Sequence, residues 1–178
     1  MLTSPPRKVA ALINEIFCRF DDCLVTMGAR IGLFKIDTAG DSYEAAAFLG
    51  DAAADISGGG DGDGCGGDDA ARRDAEICAT VLRVAHAMVR VVKEVGGCRG
   101  FTRGLWLHSR CGIASGWVVG GMLGKLQPRF HLLGAPVEEA QELEAMASLD
   151  SISISADVRA SIESLGRPGA ISNYTLVV

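Results

Sequence analysis

Apolar residues recur every three or four positions near the start of the chain, which is the spacing of one face of a helix. Those that follow this spacing are Val9, Leu12, Ile13, Ile16, Phe17 and Phe20. Ser4 precedes two prolines, and a serine cap followed by proline in the first turn is typical of a helix start. The pattern predicts a helix that begins near Ser4 and ends near Gly28.

Two short apolar segments follow this helix and flank a turn. Residues 31–37 form the first segment and residues 42–48 the second, with Thr38-Ala39-Gly40-Asp41 between them. Two extended segments around a turn that contains glycine are typical of a β-hairpin. We therefore expect the chain to reverse at Gly40 and Asp41.

Glycine and aspartate then dominate residues 51–69, which predict a flexible surface insertion. The run Asp61-Gly62-Asp63 is faintly similar to a calcium loop. Such a loop needs an oxygen ligand at its fifth position and a bidentate Glu at its twelfth. Cys65 and Arg72 stand at those positions, which excludes calcium.

The remaining pattern predicts two helices, several strands and a short helix near the end. In chain order these are a helix over 70–95, strands over 105–113 and 117–123 around a turn at 115–116, a strand over 130–133, a helix over 137–147, a strand over 152–154, a helix from Ser155 and a strand over 174–178. This order predicts one α+β domain over residues 1–178, with a largely antiparallel sheet and helices packed against it.

Composition narrows the classes of function. The chain has 178 residues, a net charge of −5 and 48% hydrophobic residues, which argues against a nucleic-acid or anionic-membrane surface. None of the six cysteines forms a C-x-x-C pair, and no apolar run reaches the roughly 20 residues that cross a bilayer. We expect reduced, mostly buried thiols in a cytoplasmic domain, either on its own or as the cytosolic part of a larger membrane protein.

Three sequence motifs carry the strongest signal. They are Phe34-Lys35-Ile36-Asp37-Thr38-Ala39-Gly40-Asp41-Ser42-Tyr43, the glycine-rich stretch from Leu107 to Gly124, and Pro128 to Ala140. In this order and at about this spacing they resemble the catalytic domain of class III adenylyl and guanylyl (nucleotidyl) cyclases. The resemblance implies a ferredoxin-like α+β core, and it covers residues 3 to about 178.

The resemblance also implies a reaction and part of its site. Class III cyclases convert ATP or GTP to a cyclic nucleotide and pyrophosphate in intracellular signalling, with two Mg²⁺ or Mn²⁺ ions held by two aspartates. Asp41 matches the aspartate of the hairpin turn, and its alternative interpretation is a plain turn residue. Arg110 matches an arginine that contacts the triphosphate, and the alternative is an ion-paired strand arginine. His86 and His108 are expected to be ordinary surface or interface residues.

Three departures from the family pattern matter. The family's first strand, which carries Phe-x-Asp and the first metal aspartate, would lie before residue 1, so we expect a fragment or truncated gene model, or else a true loss. Glu138 and Glu142 replace the family's Asn and Arg, which reverses the charge presented to a polyanion. Asp37 and His131 occupy the purine-selecting positions and match neither the guanylyl nor the adenylyl pair.

These departures are similar to the division of labour in heterodimeric cyclases, which pair head to tail. The chain keeps Asp41 and Arg110 but lacks the family's purine-selecting residues and its Asn and Arg. This is the set of residues expected of a metal-bearing half. The leading hypothesis is therefore a half-site that forms cAMP or cGMP with a complementary cyclase domain. The alternatives are a catalytically inactive pseudo-cyclase with a regulatory or dimerisation role, and an unrelated α+β binding domain.

Overall fold

A computed structural model describes residues 6–49, 67–98, 107–166 and 175–177. The helices are α1 (Pro6–Cys23), α2 (Gly67–Cys98), α3 (Ala135–Met146) and α4 (Ala156–Glu163). The strands are β1 (Phe34–Ala39), β2 (Ser42–Phe48), β3 (Arg110–Gly116), β4 (Val119–Leu123), β5 (Arg129–Leu133), β6 (Ser151–Ile154) and β7 (Thr175–Val177). The predicted α+β class is confirmed, and none of the described helices is long and apolar enough to span a membrane.

The described strands form two sheets. A five-stranded sheet has the order β1-β2-β7-β3-β6, with antiparallel pairs except for the parallel pair β3–β6. β4 and β5 form a separate antiparallel pair. The prediction of one sheet is therefore wrong for β4 and β5. The predicted turn at Ser115-Gly116 is also wrong, because both residues pair with β7 and the chain leaves the sheet only after Gly116.

Alternating residues of β2 and β3 divide the core between two layers. Ala45, Ala47 and Ile113 are fully buried against α1, α2 and α4 on one face of the large sheet. Ala46 and Ala114 are buried on the other face, beneath α3 and the β4–β5 pair. The described chain thus has three layers, with the five-stranded sheet in the middle.

Helix α3 packs unusually close to β3. A Cβ atom on Gly112 would overlap the Ala140 carbonyl oxygen and would lie 2.6 Å from the Glu144 backbone nitrogen. A Cβ atom on Gly116 would lie 2.5 Å from Cγ of Pro136. Glycine at these two positions allows the helix backbone to rest directly on the strand. The contact fixes which residues of α3 face the sheet.

The end of the first helical segment differs from the prediction. After α1 the chain continues through a π-helical turn, Leu24–Gly28, and a 3₁₀ turn, Ala29–Ile31. Gly28 does not end the helix; it is buried, and a Cβ atom there would lie 2.9 Å from Cβ of Leu33. Gly32, with φ of 64°, caps the segment instead.

The predicted insertion falls mostly outside the described residues. Residues 50–66 are among those that the structure leaves undescribed, so the flexibility expected there stays a prediction. Residues 67–69 belong to the first turn of α2, so the insertion is shorter than expected at its end.

Strand β7 lies in the middle of the large sheet. Val177 pairs with Ala46 of β2 on one side and Ala114 of β3 on the other. Over these three residues, β7 therefore pairs with the backbone edges of both β2 and β3. Within the described residues, β7 is the strand that joins β1 and β2 to β3 and β6.

Candidate functional site

The pairing of the strands brings Asp41 and Arg110 to the same end of the large sheet. Because β7 is antiparallel to both neighbours, β2 and β3 run in the same direction, with Ala46 and Ala114 at the same level. Four residues earlier, Ser42 and Arg110 are level with each other. Asp41 directly precedes Ser42, and two strand spacings separate β2 from β3, or about 10 Å.

Asp41 lies in the tight β1–β2 turn and its side chain is exposed. Gly40 before it has φ of 64°, a conformation that glycine adopts without steric cost. Among the described residues, no group of three or more His, Cys, Asp or Glu side chains could hold a metal ion. One carboxylate does not make a two-metal site, so the described residues by themselves do not fit the expected pair of cations.

Arg110 points toward α3 and already has partners there. Its Nε lies 2.9 Å from Oε1 of Glu144, and its Nη1 donates to the Ala145 carbonyl oxygen at 3.4 Å. Both side chains are about two-fifths exposed, at 42% and 41%. The guanidinium therefore stands at the C-terminal end of α3, where the helix dipole favours a positive charge. A phosphate would compete with these contacts.

Asp37 and His131, which the resemblance matches to purine-selecting positions, lie on two strands that contact each other, β1 and β5. Asp37 follows a bulge in β1 and lies opposite Glu44 of β2. Its Oδ1 accepts from the Thr38 backbone N–H at 2.7 Å, and its Oδ2 lies 3.6 Å from Nη1 of Arg129. His131 is two residues after Arg129 on β5, and β1 contacts β5. Asp37 is thus engaged by a cation that sequence reasoning did not single out.

Glu138 and Glu142 are exposed and one turn apart on α3. Ala140 lies between them in sequence and is buried against β3. The two carboxylates therefore lie away from the sheet, unlike Glu144, and they are not brought to Arg110.

A further cluster at this end of the sheet was missed from the sequence. Asp150, with φ of 60°, precedes β6 and accepts from Nδ1 of His108 at 2.9 Å and from the Ser109 backbone N–H at 3.2 Å. Lys93 of α2 lies 3.7 Å from its Oδ2. The bond from His108, followed by the other contacts, lowers the pKa of Asp150. His108 is therefore held by a hydrogen bond to Asp150. The sequence signal for this cluster is an aspartate in the turn between a helix and a strand, because aspartate tolerates left-handed backbone.

A second polar group holds α1 against the hairpin. Tyr43 donates its hydroxyl to Oδ1 of Asp21 at 2.5 Å, and Lys35 lies 3.1 Å from the same oxygen. Burial and the hydrogen bond to Asp21 raise the pKa of Tyr43, so its hydroxyl remains a donor at neutral pH. These contacts fix the strand that leads to Asp41.

The four cysteines with described side chains are free thiols. Only Cys78 is fully buried, and Cys18 is exposed, so the expectation of mostly buried thiols is wrong for this set. Burial raises the pKa of Cys78 and of Cys111 to about 12, so both stay protonated at neutral pH. Neither has the lowered pKa of a nucleophilic cysteine.

The chain matches the family model of the adenylate and guanylate cyclase catalytic domain over residues 1–171. The receptor-type guanylate cyclase gcy-23 of Caenorhabditis elegans is 26% identical over 157 residues, which are 88% of this chain and 12% of that relative. The membrane guanylyl cyclase of Dictyostelium discoideum is 24% identical over 152 residues, which are 85% of this chain and 8% of that relative. The chain thus spans a small part of these relatives.

Two solved structures share the fold. The guanylate cyclase domain of RhGC from Catenaria anguillulae, in complex with GTP, has a TM-score of 0.62 and 22% identity, covering 98% of this chain and 85% of that one. The non-canonical dimeric guanylyl cyclase domain of the RhoGC fusion protein from Blastocladiella emersonii has a TM-score of 0.61 and 21% identity, with the same two coverages. With the family model matching nearly the whole sequence, the chain belongs to the adenylate and guanylate cyclase catalytic domain family.

Proposed function

We propose that this domain supplies the Asp41 and Arg110 side of a cyclase site that a second, complementary cyclase domain completes. The observation that carries the proposal is that both residues lie at one end of the sheet while Glu138 and Glu142 lie on the outer side of α3. The reaction is attack of the 3′ hydroxyl of ATP or GTP on the α-phosphate, which releases pyrophosphate. Arg110 would bind the phosphates, once freed from Glu144, because its fork of donors suits them.

The cations of this reaction would be Mg²⁺ or Mn²⁺, with Asp41 as one ligand. Further ligands have to come from residues other than the described ones, since no metal-binding group occurs among these. GTP as one candidate substrate is supported by the solved relative that holds it. We also propose that the domain lies in the cytoplasm. It would be either a protein on its own or the cytosolic part of a larger membrane protein.

The charge on α3 explains why a complementary partner is needed. In a head-to-tail pair of identical chains, Glu138 and Glu142 would face a triphosphate with about four negative charges. At a few ångströms and an effective dielectric constant near 20, each such contact costs on the order of a few kcal/mol. The arginine that is absent there would also contribute roughly 10³-fold or more to the rate.

The test is a cyclase assay with Mn²⁺ and either ATP or GTP. The pure chain is expected to be inactive, and mixing it with a cyclase domain that retains the Asn and Arg should give cyclic nucleotide. Asp41→Ala should abolish the activity of the mixture, and Arg110→Ala should reduce it. Asp22→Asn, an exposed site on α1, serves as the control. Robust turnover by the pure chain would refute the half-site proposal.

A regulatory pseudo-cyclase is the second candidate. The ion pair between Arg110 and Glu144 favours it, because the arginine proposed to bind phosphate already has a carboxylate partner. A pseudo-cyclase should still bind a cyclase partner, and analytical ultracentrifugation of the mixture would detect this complex. The mixture would then be no more active than the partner alone.

A further inference from the structure

We infer that Glu144 is a positioning residue that controls how strongly Arg110 binds polyphosphate. This inference rests on the proposed function, because it concerns the arginine assigned there to the phosphates. Glu144 occupies the guanidinium at 2.9 Å, so a polyphosphate has to replace its carboxylate. Anion affinity at this site is therefore set by a competition within the chain.

The backbone contact between α3 and β3 fixes the position of Glu144. The backbone nitrogen of Glu144 lies against Gly112, at 2.6 Å from the place of a Cβ atom. Arg110 precedes Gly112 by two residues, so the two residues share a face of β3. The Glu144 backbone cannot leave β3 without moving α3, so its side chain always starts beside Arg110, while the partly exposed carboxylate remains able to rotate away when a polyphosphate binds.

The ion pair between Arg110 and Glu144 is weak enough for a polyphosphate to replace Glu144. Both side chains are partly exposed, and ion pairs of this kind contribute little stability. The second contact of Arg110, with the Ala145 carbonyl oxygen, is long at 3.4 Å. A polyphosphate that offers several oxygens can therefore displace both partners. The loss of affinity caused by Glu144 should be modest, on the order of fivefold.

Binding of inorganic tripolyphosphate to the full chain, measured by ³¹P NMR titration, tests the inference. Glu144→Gln keeps the helix propensity and removes the charge, and it should lower the Kd about fivefold at low salt. The double variant Arg110→Ala/Glu144→Gln should lose this gain. Glu163→Gln removes a carboxylate that pairs with Arg159 on α4, and as the matched control it should leave the Kd unchanged.

The outcomes separate the inference from the proposed function. If Glu144→Gln binds no more tightly than the wild type, while the double variant binds more weakly, the control by Glu144 is refuted and the phosphate role of Arg110 stands. If Glu144→Gln and the double variant bind alike, Arg110 does not bind phosphate and the proposed function loses that residue. A merely structural role for Glu144 would lower the thermal stability without tightening anion binding.

Discussion

The carbonyl oxygen of Ala140 occupies the space that a side chain on Gly112 would need. The helix backbone meets the strand backbone at this point, so neither partner can move aside in the way that a side-chain tip can. The same contact places Glu144 beside Arg110. The packing of α3 at this point and the position of Glu144 therefore both depend on Gly112.

Gly112→Ala should destabilise the domain by about 3 kcal/mol or more, because α3 has to lift off β3 to admit the methyl group. Urea unfolding followed by circular dichroism measures this loss. Gly97→Ala is the matched control, since nothing lies within 4 Å of a Cβ atom there. It lies near the end of α2 and should be neutral or stabilising by up to about 1 kcal/mol. Equal effects of the two changes would contradict the close contact.

Tyr43→Phe should lower the free energy of unfolding by about 1–2 kcal/mol, because the half-buried hydroxyl loses its bond to a carboxylate. Asp21 would keep Lys35 as a partner, which limits the loss. Thermal unfolding of the two single variants and of Asp21→Asn/Tyr43→Phe gives the coupling energy between the side chains. Additive effects of Tyr43→Phe and Asp21→Asn would show that the bond contributes nothing.

The contacts of Asp150 should make stability depend on pH in the acid range. Its pKa is lowered from 3.8 in the folded chain, so folding favours the ionised form. The contribution is fully present above the unfolded value and is lost as the pH falls through the lower folded value. Asp150→Asn, which keeps a residue tolerant of positive φ, should lower the Tm at pH 7 and approach the wild type as the pH falls below the folded pKa of Asp150.

Asp22→Asn changes an exposed carboxylate on α1 and is the control for that pH series. The Tm of Asp22→Asn should differ little from that of the wild type, and this difference should vary less with pH than the difference for Asp150→Asn. A constant difference for Asp150→Asn from pH 7 to pH 3 would mean that its effect is not electrostatic.

Glu138→Asn combined with Glu142→Arg should not make the pure chain an active cyclase. The substitutions remove the repulsion between α3 and a triphosphate, yet the described residues still offer no metal-binding group. Binding of GTP should tighten, since two negative charges are lost and one positive charge is gained. The cyclase assay and a GTP titration of the same protein measure these two expectations, and turnover by this variant would contradict the first.

The sequence predicted the features that depend on local patterns. The β-hairpin at Gly40 and Asp41 is confirmed because turn chemistry is local, and so is the helix start at Ser155, which caps α4 by accepting from the Val158 backbone N–H. The fold class followed from the order of such elements. The family was predicted from its motifs, and the family model confirms it.

Features that depend on distant pairing were not predictable from local patterns. The separation of β4 from β3 and the glycine contact at Gly112 both require knowledge of what packs above the sheet. In the site, the sequence motifs were enough to identify Asp41 and Arg110 as candidate residues. The partners Glu144 and Arg129 were not, because an ion pair between distant segments leaves no periodic signal in one sequence.

The central place of β7 has a consequence for the order of folding. Every other described strand precedes Thr175 in the chain, yet this late segment bridges Ala46 and Ala114, which are far from it in sequence. Contacts of such long sequence separation form slowly, because a large loop must close first. During synthesis the two parts of the sheet would emerge from the ribosome before the strand that joins them, so they would stay unjoined and open to aggregation until residues 175–177 emerge.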